Sequence, residues 1–167
     1  ADDGTGNFLM RVVIDSREQN PLTFPPDVKT VPGTLTAGDY SMPGFEEHAA
    51  VERKELGDLL ACIGPERDRF KRELLRLRSY PCRAVVIEGT LAEIMSGNYR
   101  SKVHPFAVVG SIASWTNRYH VPFIFAGDRA GAAVITLALL RTYRDQVKAF
   151  VEAVAVDCDG QVIPATQ

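Results

Sequence analysis

The apolar positions change from short runs between turns to a helical period at about residue 55. Before that point we predict strands, because Pro-Gly pairs and other turn residues separate the runs. The predicted strands cover residues 8–14, 28–31, 34–42 and 49–54. Because Pro32-Gly33 and Pro43-Gly44 punctuate the last three, we expect them to form an antiparallel meander.

The second part of the chain predicts helices that alternate with buried strands. Leu56, Leu59, Leu60 and Ile63 recur at helical spacing. The other predicted helices cover residues 70–80, 91–95, 104–119 and 131–154, and the predicted buried strands cover 83–88 and 121–126. This order predicts an α/β protein with a mixed β-sheet that is flanked by helices on both faces.

Length and composition favour one globular domain. The chain has 167 residues, of which 46% are hydrophobic, and this is enough for one core but too little for two full domains. Residues 1–7 and 157–167 are mostly small and polar. We therefore predict a single domain over residues 8–156, between a flexible N-terminus (1–7) and a C-terminal tail (157–167).

Charge and cysteine content limit the setting in which the protein works. The net charge of −2 means that any contact with DNA must be local. Cys62, Cys82 and Cys158 lack the spacing of metal ligands, which favours reduced thiols. No apolar stretch is long enough to span a bilayer. We expect no membrane association and an intracellular location, cytoplasmic or nucleoid-associated, or nuclear in a eukaryote.

The candidate chemistry lies on the strand over residues 49–54 and in the segment before it. Side chains alternate across a strand, so Glu52 and Lys54 share one face while Arg53 points to the other. If the turn at Pro43-Gly44 folds Asp39 alongside, a second carboxylate joins them. Two acids beside a lysine therefore form one candidate site.

Two carboxylates are the kind of ligand set that Mg²⁺ (or Mn²⁺) prefers, together with water and substrate phosphate. Such a cation polarises a scissile phosphate and lowers the pKa of a bound water. Lys54 would orient that water or offset the charge that develops on the phosphate. The pattern therefore predicts metal-assisted hydrolysis of a phosphodiester, by one cation or by two.

Four motifs resemble the signature of the XPF-type nucleases, a family of structure-specific endonucleases. They are Asp15-Ser16-Arg17-Glu18, Gly38-Asp39, Glu52-Arg53-Lys54 and, after three more residues, Asp58. Further matches are Arg69-Phe70, Val86-Ile87-Glu88-Gly89, Trp115 and Pro122. The resemblance covers roughly residues 10–150.

The resemblance implies a restriction-endonuclease-like fold, divalent-metal catalysis and cleavage of branched, flapped or otherwise distorted DNA, often by a dimer. Asp39 and Glu52 match the family's metal ligands, and Lys54 matches its catalytic lysine. The supporting catalytic positions are Asp15, Arg17, Arg53 and Asp58. Among them, Asp15 is a candidate for a metal-binding carboxylate, either in an outer shell or at a second metal. The DNA-gripping helix-hairpin-helix module of many relatives has no counterpart after Phe150, which leaves the substrate open.

Several of these residues also have structural interpretations. Arg53 either supports the active site or forms an ion pair with Asp15 or Glu18. Asp58 lies near a helix start, where a carboxylate also stabilises exposed N–H groups. Trp115 is expected in the core.

DNA contacts are expected from two basic segments. Arg69, Arg72 and Arg76 share one helix face, which is either a row that contacts phosphates or an ordinary solvated surface. Arg100 and Lys102 lie in a loop before a helix, where they either hold a phosphate or are simply exposed.

The sequence leaves two alternatives to a nuclease of branched DNA. One is a catalytically silent DNA-binding or scaffolding module, although silent relatives would be expected to lose their metal ligands. The other is a nuclease that acts on RNA or on DNA ends. The apolar faces of the helices over residues 104–119 and 131–154 either pack on the sheet or contact a second copy or a partner subunit.

Overall fold

The computed structural model describes residues 10–154. Its strands are β1 (Met10–Asp15), β2 (Val28–Gly33), β3 (Tyr40–Ser41), β4 (Ala49–Glu55), β5 (Cys82–Glu88) and β6 (Phe123–Phe125). Its helices are α1 (Leu56–Ile63), α2 (Arg67–Leu77), α3 (Leu91–Ser96), α4 (Pro105–Tyr119) and α5 (Arg129–Ala153). The predicted flexible start and C-terminal tail lie outside the described residues.

The six strands form one mixed sheet in the order β2-β1-β3-β4-β5-β6. Strand β3 runs antiparallel to both of its neighbours, and every other pairing is parallel. The prediction of a mixed sheet is therefore confirmed, and β3 pairs with β4 in the expected antiparallel sense, with Tyr40 opposite Val51.

The expectation of an antiparallel meander is wrong for β2. That strand pairs in parallel with β1, with Met10 opposite Val28. The segment between them contains Pro21, Pro25 and Pro26, which exclude a helix. It returns the chain to the end of the sheet at which β1 begins, so that β2 runs parallel to β1. The predicted strand over residues 34–42 is also too long, because backbone contacts with Asp15 and a left-handed Gly38 make residues 34–39 a loop.

Helices cover both faces of the sheet, as predicted. Helix α5 packs on one face, where Ala49 and Val51 of β4 belong to its cluster of buried side chains. Helices α1 to α4 pack on the other face with Ala50. Trp115 is 2% exposed and lies there against Phe70, so its expected place in the core is confirmed.

Within residues 10–154, none of the helices combines the length and the apolar character that crossing a bilayer requires.

Strand direction brings the candidate residues to one edge of the sheet. Strands β1, β4, β5 and β6 run in the same direction, so their carboxyl ends share an edge. The antiparallel β3 starts at that edge, directly after Asp39. Since ligands of open α/β sheets bind outside the carboxyl ends of the strands, this carboxyl edge is where a site is expected.

Candidate active site

Gly38 and Asp39 lie directly against strand β4. The backbone of Gly38 has φ +72°, and a Cβ at this position would lie 3.0 Å from the carbonyl oxygen of Val51. The Asp39 amide donates to that same oxygen at 2.8 Å. A side chain at residue 38 would be strained and would crowd the strand, so a glycine is needed to bring Asp39 this close.

Glu52 and Lys54 form the centre of the site. They lie on the same side of β4, as alternation predicts, and Lys54 Nζ is 2.6 Å from Glu52 Oε1. Lys54 also lies 5.3 Å from the centroid of the Phe70 ring. Both charged side chains are largely buried, with 9% of Glu52 and 11% of Lys54 exposed.

A polar cavity of 150 Å³ opens at these residues. It is lined by Asp15, Arg17, Thr36, Ala37, Gly38, Asp39, Glu52, Glu73 and Arg76. The structure thus brings together the acids of three predicted motifs with Arg17 and Arg76. Glu73 of α2 was missed by sequence reasoning, because it stands in a run of alternating charges. Its one sequence signal is the three-residue spacing from Phe70, which places it on the inner side of the helix.

The charges in this cavity are shifted by burial and by each other. Burial, and then the neighbouring Glu52 carboxylate, raise the pKa of Asp39 to about 8. Burial likewise raises the pKa of Glu52. Burial acts to lower the pKa of Lys54, but the charge and hydrogen bond of Glu52 together with the charge of Glu73 outweigh it, and the pKa is raised. This direction favours a charged Lys54 near neutral pH, and a charged ammonium donates hydrogen bonds rather than acting as a general base.

The two acids fit a divalent cation. Asp39 accepts the Arg53 amide through Oδ2 at 2.7 Å, and Glu52 contacts Lys54 through Oε1. Carboxylate oxygens are the ligands that Mg²⁺ prefers, and one or two of them suffice beside water and phosphate. Within residues 10–154, no three His, Cys, Asp or Glu side chains are arranged as a metal-binding group. Asp39 and Glu52, which line one cavity, are the residues that would hold such a cation.

Asp15 binds the loop over residues 34–39, which ends at Asp39. Its Oδ1 accepts the Arg17 amide at 2.8 Å, and its Oδ2 accepts the Leu35 amide at 2.7 Å. The Arg17 side chain also binds Asp15: Nε donates to Oδ1 at 2.7 Å, and Nη2 donates to Oδ2 at 2.9 Å. The Arg17 guanidinium lowers the pKa of Asp15 to about 2. With both oxygens engaged, Asp15 supports the site, and its role at a metal stays a prediction.

We expect Asp15→Asn to lower stability at neutral pH by about 1 to 2 kcal/mol, toward the lower value because Arg17 is exposed. The pKa of Asp15 falls from 3.8 to about 2 on folding. Its contribution is therefore present above pH 3.8 and is lost as the pH falls through about 2. Urea unfolding at several pH values should show a difference between wild type and variant that shrinks below pH 4. A difference in unfolding free energy that stays constant with pH would contradict this. Asp27→Asn is the control, because Asp27 forms an exposed ion pair with Arg141.

Arg53 lies on the opposite side of β4 from Glu52. Its guanidinium is 3.2 Å from Glu18 and 2.6 Å from Glu88, and its side chain is 7% exposed. Glu88 in turn pairs with Arg129 at the start of α5. Of the two partners expected for a structural pair, Glu18 is the one found. The side chain does not line the cavity, and Arg53 supports the site through the amide that binds Asp39.

The remaining predicted residues are more dispersed. Asp58 is exposed in the first turn of α1, where its charge stabilises the helix start, and it does not line the cavity. Arg69, Arg72 and Arg76 are all exposed on α2, and only Arg76 reaches the cavity. Arg100 and Lys102 are exposed, and Arg100 borders a separate groove with Leu56 and Tyr99. The N-terminus of α4 is capped by His104, whose ring accepts from Phe106 N.

Comparison with known proteins gives one family and one fold. The model of the ERCC4 domain family matches residues 14–139, which include every residue that lines the cavity. The structure is similar to that of XPF from Aeropyrum pernix, with 22% identity, a TM-score of 0.63, and coverage of 85% of this chain and 70% of that chain.

A second solved structure, XPF from Aeropyrum pernix in complex with DNA, is similar with 21% identity, a TM-score of 0.63, and coverage of 89% of this chain and 76% of that chain. At these identities the likeness shows the fold, and it confirms the predicted restriction-endonuclease-like α/β class. A comparison with curated proteins found no match.

Proposed function

Because this chain belongs to the ERCC4 domain family, we propose that it is a divalent-metal-dependent endonuclease that hydrolyses phosphodiester bonds in branched, flapped or otherwise distorted DNA. The observation that carries the proposal is that the half-buried Asp39 and the buried Glu52 line one cavity, with Lys54 Nζ 2.6 Å from Glu52. The family and the shared fold support a DNA endonuclease, and this pair supports the metal and the chemistry.

The raised pKa of both acids is the physical argument for a cation. Two carboxylates buried together resist ionising, and a positive charge between them removes that resistance. Mg²⁺ or Mn²⁺, when bound, supplies positive charge at the scissile phosphate and a water of lowered pKa. Asp39 and Glu52 would hold it, and each keeps an oxygen that is not used by Arg53 or Lys54 in the contacts given above.

The chain's own groups perform the remaining tasks. Lys54 keeps its proton, so it would donate hydrogen bonds to the phosphate or to the attacking water and offset negative charge in the transition state. Asp15 and Arg17 hold the loop that presents Asp39. Arg76 lines the mouth of the cavity, where a phosphate next to the cleaved bond would meet a positive charge.

DNA contact is proposed for the exposed side of α2. Arg72 and Arg76 are exposed and lie four residues apart, and Arg69 extends the row although it pairs with Glu66. Such a row neutralises phosphates without reading bases, which suits recognition of backbone shape. Arg100 and Lys102 lie apart from the cavity, so they would contact DNA only beyond the cleavage site.

A second subunit and an intracellular location are parts of the same proposal. Phe150, Val151 and Val154 are each at least half exposed at the end of α5, which supports contact with a second copy or a partner there. Sedimentation analysis of the unsubstituted chain and of Phe150→Ser tests this. A DNA substrate implies an intracellular setting, cytoplasmic or nucleoid-associated, or nuclear in a eukaryote.

Cleavage assays test the function directly. With Mg²⁺ or Mn²⁺, we expect the chain to cut flap and fork DNA faster than matched duplex or single strands. Lys54→Met should reduce the rate about 100- to 1000-fold, because one stabilising charge in a dry site is lost. Lys71→Met, which removes an exposed lysine paired with Asp68 on α2, is the matched control.

Two results would contradict the proposal in different ways. Cleavage confined to RNA or to DNA ends would replace the substrate but keep the chemistry. DNA binding without cleavage, and without any metal binding by calorimetry, would leave a catalytically silent DNA-binding or scaffolding module.

A further inference from the structure

Glu73 lies beside the candidate catalytic lysine but belongs to none of the recognised motifs. It stands on α2, whose other charged residues on the exposed side are mostly basic. Its side chain is 21% exposed and lines the acid cavity with Asp39 and Glu52. A further negative charge beside the carboxylates of Asp39 and Glu52 is unfavourable unless a positive charge offsets it.

The lysine has two carboxylates within ion-pair distance. Lys54 Nζ lies 2.6 Å from Glu52 Oε1 and 3.6 Å from Glu73 Oε2. The first distance is that of a hydrogen bond, and the second is too long for one. The Glu73 Oε2 atom is buried and, within residues 10–154, accepts no hydrogen bond. A buried oxygen without a hydrogen bond destabilises the fold, so Glu73 Oε2 is an acceptor that would gain from a donor.

We propose that Glu73 is a positioning residue, which accepts the Lys54 ammonium when Glu52 turns its oxygen toward a divalent cation. The inference rests on the proposed function, since it requires a cation at Asp39 and Glu52. An ammonium 2.6 Å from Glu52 competes with a cation for that carboxylate. A shift of about 1 Å toward Glu73 would relieve the competition and complete a hydrogen bond of ordinary length.

Two neighbours guide this movement. The Phe70 ring lies 5.3 Å from Lys54 Nζ, close enough to attract the ammonium. Arg69 Nε lies 4.0 Å from Glu73 Oε1, so a positive charge also stands near the other oxygen of Glu73. Glu73 and the Phe70 ring therefore remain beside the ammonium when its bond to Glu52 loosens.

The test compares two neutral replacements of Glu73. Glu73→Gln keeps an oxygen that accepts a hydrogen bond, whereas Glu73→Met has nearly the same size but no such acceptor. Both have similar helix propensity. Mn²⁺ binding without DNA is measured by calorimetry for both variants, in the unsubstituted chain and in a Lys54→Met background. Thermal melting and Trp115 emission check the fold, and Glu73→Ala is a second acceptor-free variant.

We expect Glu73→Gln to bind Mn²⁺ more weakly than the unsubstituted chain, because a charge is lost. Glu73→Met should be weaker than Glu73→Gln by about threefold to tenfold, the effect of one hydrogen bond. In the Lys54→Met background, the two variants should bind Mn²⁺ equally.

Three results would overturn the inference. Equal affinities of the Gln and Met variants in the presence of Lys54 would mean that only the charge of Glu73 matters. A Gln–Met difference that persists without Lys54 would mean that residue 73 contacts the cation itself. Absence of Mn²⁺ binding by the unsubstituted chain would overturn the proposed function as well.

Discussion

Asp39→Asn is expected to abolish cleavage while making the protein more stable. Asparagine keeps an oxygen for the Arg53 amide, but it removes one of the two negative charges that would hold the cation. Loss of a metal ligand together with its charge is expected to lower the cleavage rate by at least about 1000-fold. Cleavage of flap DNA over a range of Mn²⁺ concentrations measures this, because a site that is only weakened recovers at high metal.

The gain in stability follows from the raised pKa of Asp39. Folding raises the pKa from 3.8 to about 8, so the folded state disfavours the ionised carboxylate. The resulting cost is absent below pH 3.8 and grows as the pH rises toward about 8. The variant avoids this cost, so its advantage in thermal melting without metal should increase from pH 5 to pH 8, to on the order of 1 kcal/mol or more.

Asp68→Asn provides the control: Asp68 is 84% exposed, so we expect neither a loss of cleavage nor a gain in stability that grows with pH. An Asp39→Asn protein that is destabilised at pH 8 would contradict the cost of burying the ionised Asp39 beside Glu52. Retained cleavage would contradict the placement of the metal.

Arg53→Met is expected to cost about 3 to 5 kcal/mol of folding stability, the loss found when one partner of a buried ion network is removed. The guanidinium is 7% exposed, and without it Glu18 and Glu88 remain buried, with 8% and 12% exposed. Of these two acids, Glu88 also pairs with Arg129, at 3.3 Å, whereas Glu18 loses the ion pair it makes with Arg53. Urea unfolding of the variant and the unsubstituted chain gives the difference.

A matched control removes a weaker contact of the same arginine. Glu55 is 49% exposed and lies 3.2 Å from Arg53, so Glu55→Gln should change stability by less than about 1 kcal/mol. Arg53→Lys should fall between the two, because an ammonium cannot reach both acids as a guanidinium does. A loss below 1 kcal/mol for Arg53→Met would show that the network contributes little, and that the side chain serves another purpose.

Together these predictions separate the two sides of β4. Glu52 lines the cavity and contacts Lys54 on the side of β4 that α1 to α4 cover, whereas Arg53 contacts Glu18 and Glu88 on the side of α5. Adjacent residues of one strand therefore differ in task, with chemistry proposed for one side and stability for the other. The Arg53 amide links them, because it donates to Asp39 from the backbone between the two sides.

Patterns of residues close in sequence were enough to predict much of the fold and of the candidate site. The period of two in a strand placed Glu52 and Lys54 together, and the structure shows them 2.6 Å apart. The helical period located the helices, and the apolar run at residues 84–87 identified a central strand that is covered on both faces. The spacing of Gly-Asp, Glu-Arg-Lys and the upstream Asp-x-Arg-Glu identified the family, which the ERCC4 domain match confirms. Each signal depends on residues close in sequence.

Other features were decided only by the tertiary structure. The parallel pairing of β2, the shortness of β3, the choice of Glu18 over Asp15 as a partner of Arg53, and the entry of Glu73 into the site all join segments that are far apart in the chain. Alternation and helical period say which face a residue occupies but not which segment lies opposite. That is set by how the strands are ordered and how the helices pack, and so are the burial and charge that raise the pKa of Asp39.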